Sequence, residues 1–197
     1  MLRLFTAYLC VLLCIQSCRP TSLSPNNLLK YIENPVNGLS QEQTVGDVTV
    51  KVEYQPAEVL IAKEIGDIPI QPAEVSRLRR KYDNASYFIL SFSKDGEEIL
   101  HPKSGLSNYS NLLQVFSFGL GQYIKLTTAQ GDTIPPVNYN LDRTYHMGSS
   151  TNLLVAFPKV TNSTVLHFHI QEFGLGCGNL DFIFRQKDVA AVPALKY

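Results

Sequence analysis

The residues best suited to metal chemistry are His167 and His169, near the C-terminus of the chain. They alternate with apolar residues, so on a β-strand both imidazoles lie on one face and the apolar side chains on the other. Imidazole nitrogens bind Zn²⁺ or Cu²⁺, and Glu172 or Cys177 could supply a further ligand. A metal site needs three or four ligands in a set geometry, and the sequence brings only the two histidines together. We therefore predict two half-exposed histidines on a sheet face and no bound metal.

A glycine-rich segment follows the histidines, with the sequence FGLGCGN at residues 173–179. Its spacing differs from that of a dinucleotide fingerprint, and a strand-like segment follows it instead of a helix whose N-terminus could hold an anion. We predict a connection between two strands, in which glycine supplies positive φ angles or a bulge. Cys177 within it could be a reactive thiol, and the simpler interpretation is a small buried side chain.

Patterns for covalent catalysis are sparse. The sequence has no Gly-x-Ser-x-Gly motif, and none of its four histidines stands beside an obvious nucleophile. Asp and Glu residues are scattered, so their spacing neither predicts nor excludes a glycosidase pair. We predict that the chain is not an enzyme, and we assign it no catalytic residue.

The N-terminus has the composition of an export signal. Arg3 supplies a positive charge, and residues 4–15 form an apolar run that is too short to span a bilayer. The run leads into Ile15-Gln16-Ser17-Cys18, which resembles the lipobox of bacterial lipoproteins. The resemblance implies cleavage before Cys18, a diacylglyceryl group on its sulfur and acylation of the new amine. Chains such as palmitate would then anchor the protein in a lipid bilayer, and this covalent lipid is the only cofactor that we expect.

An ordinary secretory signal, cleaved near Pro20, is the alternative. The cysteines favour the lipoprotein, because Cys10 and Cys14 leave with the signal and Cys18 takes the lipid. Cys177 then remains without a partner, which excludes a domain built on disulfides. Three Asn-x-Ser/Thr triplets, which begin at residues 84, 108 and 162, would matter only in a eukaryotic secretory pathway.

Two segments, NPVNGL at residues 34–39 and FGLG at 173–176, are similar to uncharacterised Bacteroidota envelope lipoproteins. In such lipoproteins acidic residues after the lipidated cysteine accompany export to the cell surface. The segment RPTSLS at 19–24 has none, so the resemblance implies the periplasmic face of the outer membrane. Asp132-Thr133-Ile134 resembles the short O-glycosylation motif of exported Bacteroidota proteins, with Thr133 as the acceptor. A turn before the following prolines is the alternative.

Charge limits the classes of partner. The chain has 17 basic and 17 acidic residues, and removal of residues 1–17 would take away only Arg3, leaving 16 against 17 and a net charge of −1. No excess of positive charge is available for phosphate backbones, so we expect no nucleic-acid partner. Ten Tyr and ten Phe with no Trp favour strands over helices.

The apolar periodicity predicts a mainly β domain that positions these residues. Strands are predicted at residues 48–54, 85–93, 97–100, 122–128, 137–141, 152–157, 165–171 and 180–185. Helices are predicted at 28–32, 59–65 and 75–82, whereas 111–118 fits either a helix or a strand. The helix predicted at 75–82 ends in a basic cluster, residues 77–81. This cluster could bind acidic lipid or an acidic partner; the alternative is a solvated helix end.

These elements predict an immunoglobulin-like or transthyretin-like β-sandwich with one or two short helices inserted. We expect a signal peptide at 1–17, the lipidated cysteine and a polar tether at 18–27, and a single sandwich domain at 28–197. The first functional hypothesis is a non-catalytic binding or scaffolding module, an accessory subunit of a secretion or outer-membrane assembly that binds another envelope protein. The alternatives are a surface lipoprotein that binds a glycan or other ligand, and a metalloprotein or enzyme that uses His167 and His169.

Overall fold

The computed structural model describes residues 22–66, 71–101, 106–142 and 148–196. The fold is mainly β, with several sheets and a few helices. The strands are β1 (Ser22–Leu23), β2 (Ser40–Val45), β3 (Val48–Gln55), β4 (Ala85–Lys94), β5 (Glu97–Glu98), β6 (Ile124–Thr128), β7 (Thr133–Ile134), β8 (Asn138–Asp142), β9 (Thr151–Pro158), β10 (Val165–Ile170), β11 (Leu180–Arg185) and β12 (Ala194–Leu195). The α-helices are α1 (Pro25–Glu33), α2 (Ala57–Ile65), α3 (Pro72–Tyr82), α4 (Leu106–Gln114) and α5 (Gln186–Ala190).

The strands form two larger antiparallel sheets. The large sheet has the order β2-β3-β4-β9-β8, and β5 pairs with the end of β4. The small sheet has the order β11-β10-β6-β7. A separate parallel pair joins β1 to β12.

Alternation along the strands explains why the two sheets stack. In β4 the inward side chains Phe88, Leu90 and Phe92 are all completely buried, as their period of two predicts. The ring of Phe88 lies 5.1 Å from that of Phe168 in β10 and 5.2 Å from that of Phe184 in β11, measured between ring centroids. The inner faces of the large and small sheets therefore share one aromatic core, as in a β-sandwich.

The first three helices pack into a second apolar cluster, which we call the helical cluster. Its buried members are Leu28, Ile32, Leu39, Val59, Ile61, Ala62, Leu78 and Leu195. The helices predicted at 28–32, 59–65 and 75–82 are confirmed with longer bounds, and α1 and α3 each begin with proline, whose missing N–H is not needed there.

The polar segment predicted as a tether at 18–27 is folded from Ser22 onward. Leu23 packs against the helical cluster, and the strand that it belongs to pairs with β12. Residues 25–27 form the first turn of α1, because the next residue, Leu28, is completely buried and fixes the start of that helix. The predicted signal peptide, Cys18 and residues 19–21 lie outside the described residues.

One side of the sandwich is closed by two glutamines of β2. The side-chain amide of Gln41 donates to the carbonyl of Ile183, and its oxygen accepts from the Ile183 N–H at 3.1 Å. Gln43 donates to the carbonyl of Asp181 at 2.6 Å. These bonds occupy backbone groups on the open edge of β11, which would otherwise be free to pair with another chain.

Two boundaries differ from the predictions. The strand predicted at 97–100 extends only over Glu97–Glu98, after a turn in which Asp95 and Gly96 have φ angles of 52° and 78°. The ambiguous segment 111–118 is helical: it contains the end of α4 and most of a π-helical turn at Val115–Gly119. That turn buries Phe116 and exposes Phe118.

Candidate functional site on the β10–β11 hairpin

The two histidines lie side by side on the outer surface of the small sheet. Their rings are nearly parallel, at 12°, and their centroids are 6.0 Å apart. Asp181 is the partner of His169 across the β10–β11 pair. One oxygen of Asp181 lies 3.3 Å from Nδ1 of His169 and 3.8 Å from Nδ1 of His167. The prediction of two half-exposed histidines on one sheet face is confirmed.

Neighbouring strands extend this surface, which we call the hairpin face. Its members are Lys125, Thr127, His167, His169, Asp181 and Ile183. Lys125 is opposite His169 on β6, and among the described residues its ammonium group has no hydrogen-bond or ion-pair partner. Ile183 is opposite His167 and is 46% exposed, so an apolar side chain lies among polar ones.

A cleft of about 380 Å³ adjoins the hairpin face at the end nearer the glycine-rich segment. Hydrogen-bonding side chains from the ends of β6, β10 and β11 line it: Gln122, Tyr123, Lys125, His169, Gln171, Asn179 and Asp181. Amide, imidazole and charged groups therefore meet at one open depression.

The structure does not bring the predicted third ligands to the histidines. Glu172 lies in the β10–β11 loop, where its carboxylate is occupied by backbone groups, and Cys177 is buried in the shared core. In the part of the chain that the structure describes, no group of three or more His, Cys, Asp and Glu side chains could hold a metal ion. Completion of a metal site by Glu172 or Cys177 is therefore wrong for this conformation.

Glu172 occupies a nest of backbone N–H groups, formed by what we call the glycine loop, residues 173–178. One carboxylate oxygen accepts from the N–H groups of Gly174, Leu175 and Gly176 at 2.7, 2.6 and 3.1 Å, and the other accepts from Gly178 at 2.6 Å. Partial burial would raise the pKa of the carboxyl, but these four donors outweigh it and hold the pKa below its usual value. The loop thus binds an anion that belongs to the chain itself.

The predicted conformation of the glycine loop is confirmed. Gly174, Gly176 and Gly178 have φ angles of 104°, 78° and 70°, which L-residues with a Cβ rarely adopt. Cys177 between them is a free, buried thiol, as its interpretation as a small buried side chain predicts. Burial, and then the charge of Glu172, raises the pKa of this thiol, which disfavours the reactive thiolate.

Thr133, the candidate glycosylation residue, is exposed on β7 and pairs with Thr127 of β6. The turn expected before the prolines lies earlier in the chain, where the N–H of Gly131 donates to the carbonyl of Thr128 at 3.0 Å. Glycosylation of Thr133 remains a prediction.

The basic cluster at the end of α3 is largely neutralised within the protein. Arg77 binds Glu74 of its own helix at 2.5 Å, whereas Arg79 and Lys81 face glutamates of α2 at 3.6 and 2.8 Å. Arg80 has no ion-pair partner among the described residues. The pairs of Arg79 and Lys81 connect α3 to α2, and all three pairs leave little free charge for acidic lipid.

The spacing Ser-x-x-Lys occurs once, at Ser91 and Lys94 in β4. Residues three apart on a strand point to opposite faces of the sheet. The Lys94 ammonium lies 3.0 Å from a carboxylate oxygen of Asp47. The spacing therefore does not bring a nucleophile and a base together.

Comparisons with known proteins leave the function open. No protein-family model matches the sequence, and no curated protein matches it. A DUF4426 family protein from Pseudomonas aeruginosa PAO1 is 13% identical, with a TM-score of 0.39 over 74% of this chain and 91% of that one. A protein of unknown function from Burkholderia pseudomallei K96243 is 10% identical, with a TM-score of 0.40 over 86% of this chain and 93% of that one. Among the described helices, none is long and apolar enough to cross a bilayer.

Proposed function

We propose that the chain is a lipid-anchored, non-catalytic binding module of the bacterial envelope, whose hairpin face binds another envelope protein. The carrying observation is an open surface with an adjoining cleft, on which Lys125 of β6 has no ion-pair partner among the described residues and Ile183 of β11, on the other side of β10, exposes an apolar side chain. A partner segment with a carboxylate for Lys125 and an apolar side chain for Ile183 complements this surface. Protein interfaces commonly combine an apolar centre with a polar rim.

The chemistry of the histidines supports recognition by side-chain contacts. His167 and His169 both approach Asp181 through Nδ1, and among the described residues their Nε2 atoms have no hydrogen-bond partner, so these atoms can bond a partner segment. In the adjoining cleft, the amides of Gln171 and Asn179 offer further donors and acceptors. Such groups fix the register of a bound segment, while Lys125 favours a segment that carries a negative charge.

Lipid anchoring at Cys18 rests on the lipobox, and it would restrict the partner to membrane-associated proteins. Four residue steps separate Cys18 from Ser22, where β1 begins, and an extended chain spans at most about 14 Å over that length. The domain would then lie close to the bilayer. Residues 19–24, which follow Cys18, include no acidic side chain, and this favours the periplasmic face of the outer membrane.

For the fold, we propose the immunoglobulin-like or transthyretin-like class of sandwich. Antiparallel pairing throughout the two larger sheets and one core between them support this assignment. Comparison of these strand connections with those of both classes tests it: a match to neither would overturn the assignment and leave the two-sheet architecture intact.

The proposal is tested by crosslinking in the native cells, followed by affinity purification of the full-length tagged chain. We expect an envelope protein to be recovered with the wild type and lost from Cys18→Ala, which removes the anchor. Lys125→Glu and Ile183→Asp should each reduce recovery of the partner about tenfold. The first substitution would repel the partner's carboxylate and the second would remove an apolar contact, and either change lowers affinity by about that factor.

Matched controls place the same changes elsewhere. Arg80→Glu reverses a cation without an ion-pair partner among the described residues, and Val36→Asp replaces a valine that is 91% exposed. Both should retain the partner. Equal loss from the controls would overturn the hairpin face as the site, and recovery of the wild type without any partner would overturn the binding module.

A further inference from the structure

A second cleft of about 380 Å³ opens at one end of the sandwich, beside the helical cluster. We call it the end cleft. Side chains from the end of β3, the start of β4, the start of α2 and the loop after β9 line it, among them Tyr54, Ser86, Glu58 and Lys159. It shares no lining residue with the cleft beside the hairpin face.

Ser86 is the most unusual of these residues. It belongs to the inward row of β4 that continues into Phe88 and Leu90, and it is 4% exposed. Its hydroxyl makes no hydrogen bond to any described residue. Among the described residues, no side-chain polar atom is both sealed from solvent and unbonded, so the hydroxyl must use its small exposed area in the cleft. Through that area the hydroxyl can bond water or a ligand that enters the cleft.

Tyr54 supplies a second hydroxyl. Its ring packs edge-on against Phe88 at 5.3 Å, which fixes the direction of the phenol, and its hydroxyl has no hydrogen-bond partner among the described residues. Burial, and then the charges of Glu58 and Asp83, raises the pKa of Tyr54 to about 12. The phenol therefore stays neutral at physiological pH and can both donate and accept.

The start of α2 adds backbone donors. Pro56 precedes the helix and supplies no side-chain cap. The N–H groups of Ala57 and Glu58 fall in the first turn, where no helical carbonyl can pair with them. Ala57 and Glu58 line the same cleft as Tyr54 and Ser86.

The charged groups of the end cleft are already paired. Lys159 binds Asp83 at 2.5 Å, and Arg79 faces Glu58 at 3.6 Å. A charged ligand would have to compete with these pairs, whereas a neutral one leaves them intact. Apolar side chains such as Leu166 and Val189 complete the lining.

From this arrangement we infer that the end cleft binds a neutral, polyhydroxylated small molecule, of the kind represented by one sugar ring of a glycan. Hydroxyl groups of the ligand match Ser86, Tyr54 and the free N–H groups, and C–H faces of its ring match the apolar side chains. The volume lies at the lower end of the range of about 300–1,000 Å³ that small-molecule sites occupy. This site goes beyond the hairpin face and does not depend on it.

The test is ligand-observed saturation-transfer NMR on the full-length chain in detergent. The probes are glucose, galactose and N-acetylglucosamine, with glucuronate as a charged comparison. We expect transfer from at least one neutral sugar, saturating as the concentration of that sugar is raised, and weaker transfer from glucuronate. Absence of transfer from all three neutral sugars at tens of millimolar would overturn the inference, whatever the variants do.

Variants locate the binding. Ser86→Ala and Tyr54→Phe each remove one hydroxyl, and the second keeps the ring that packs on Phe88, so each should weaken binding by roughly tenfold. Ser91→Ala and Tyr87→Phe make the same changes on the opposite face of β4 and should leave binding unchanged. Unchanged affinity in the first pair, with melting temperatures matched to the wild type, would overturn the end cleft as the site. Retention of the protein partner by Tyr54→Phe distinguishes failure here from failure of the hairpin face.

Discussion

Two carboxylates of the β10–β11 hairpin, Glu172 in the glycine loop and Asp181 on the hairpin face, lie in very different surroundings. Glu172 accepts four hydrogen bonds, all from backbone N–H groups within six residues of it. Asp181 faces two imidazoles at 3.3 and 3.8 Å and stays half exposed. Backbone donors are fixed by the fold, whereas imidazoles can rotate and exchange partners.

Glu172 is a polar group that serves folding, whereas Asp181 lies among groups that can serve binding. The glycine loop uses four of its six N–H groups on its own carboxylate, whose negative charge also opposes an external phosphate there. On the hairpin face, Lys125 has no ion-pair partner in the part of the chain that the structure describes, and Ile183 is exposed. The presence of polar residues therefore does not by itself indicate a binding site. Polar groups that have few partners within the protein are the ones available to a ligand.

The largest expected effect on stability comes from the buried side of β10, opposite the hairpin face. Phe168 lies between His167 and His169 in β10 and is completely buried against Phe88 and Phe157. Phe168→Ala should lower the free energy of unfolding by about 3–5 kcal/mol, because it leaves a cavity in the shared core. Chemical denaturation measures this change.

His169→Ala is the matched control for that prediction, one residue along the strand and on the outer face. Its effect on the free energy of unfolding should stay within about 0.5 kcal/mol, as for most surface substitutions. A loss above about 2 kcal/mol would mean that the hairpin face is part of the structural core, and the distinction between folding and binding groups would not hold.

Removal of the Glu172 carboxylate should have an intermediate effect. Glu172→Ala leaves four N–H groups of the glycine loop without their acceptor, which should cost about 1–3 kcal/mol of stability. Thermal unfolding measures the loss, and hydrogen exchange of the amides of Gly174 and Gly176 should accelerate. Asp181→Ala, on the hairpin face, should change stability much less; equal effects of the two substitutions would remove the contrast between the carboxylates.

Strands with an apolar inward row were predictable from the sequence. The sequence predicts the strands at 85–93 and 180–185, because burial of one face imposes an apolar period of two. Strand β2 was missed because it is polar on both faces. Its residues Gln41 and Gln43 bond the edge of β11, about 140 positions away, and no local pattern encodes that contact.

The candidate sites show the same limit. The histidine pair was predicted from spacing alone, but its neighbours Lys125 and Asp181 became visible only through strand register. For the glycine loop the sequence contains a signal, a glutamate just before alternating glycines. It does not show that the loop binds the carboxylate of that glutamate and not an external anion. For the end cleft the signal is Ser86, a hydroxyl in line with the buried apolar row of β4.

The smallest expected effect is the pH dependence that Glu172 contributes. Its pKa in the folded protein lies below the ordinary glutamate value of 4.5, so the unfolded chain binds the proton more readily. The stabilisation by this carboxylate is therefore complete above pH 4.5 and is lost as the pH falls through the lower pKa of the folded state.

Glu172→Gln cannot titrate, and its stability should fall less steeply than that of the wild type below pH 4.5. Parallel curves for the two proteins over that range, recorded by thermal unfolding, would show that the loop donors do not favour the ionised carboxylate. The four backbone bonds would then stabilise the loop by geometry alone.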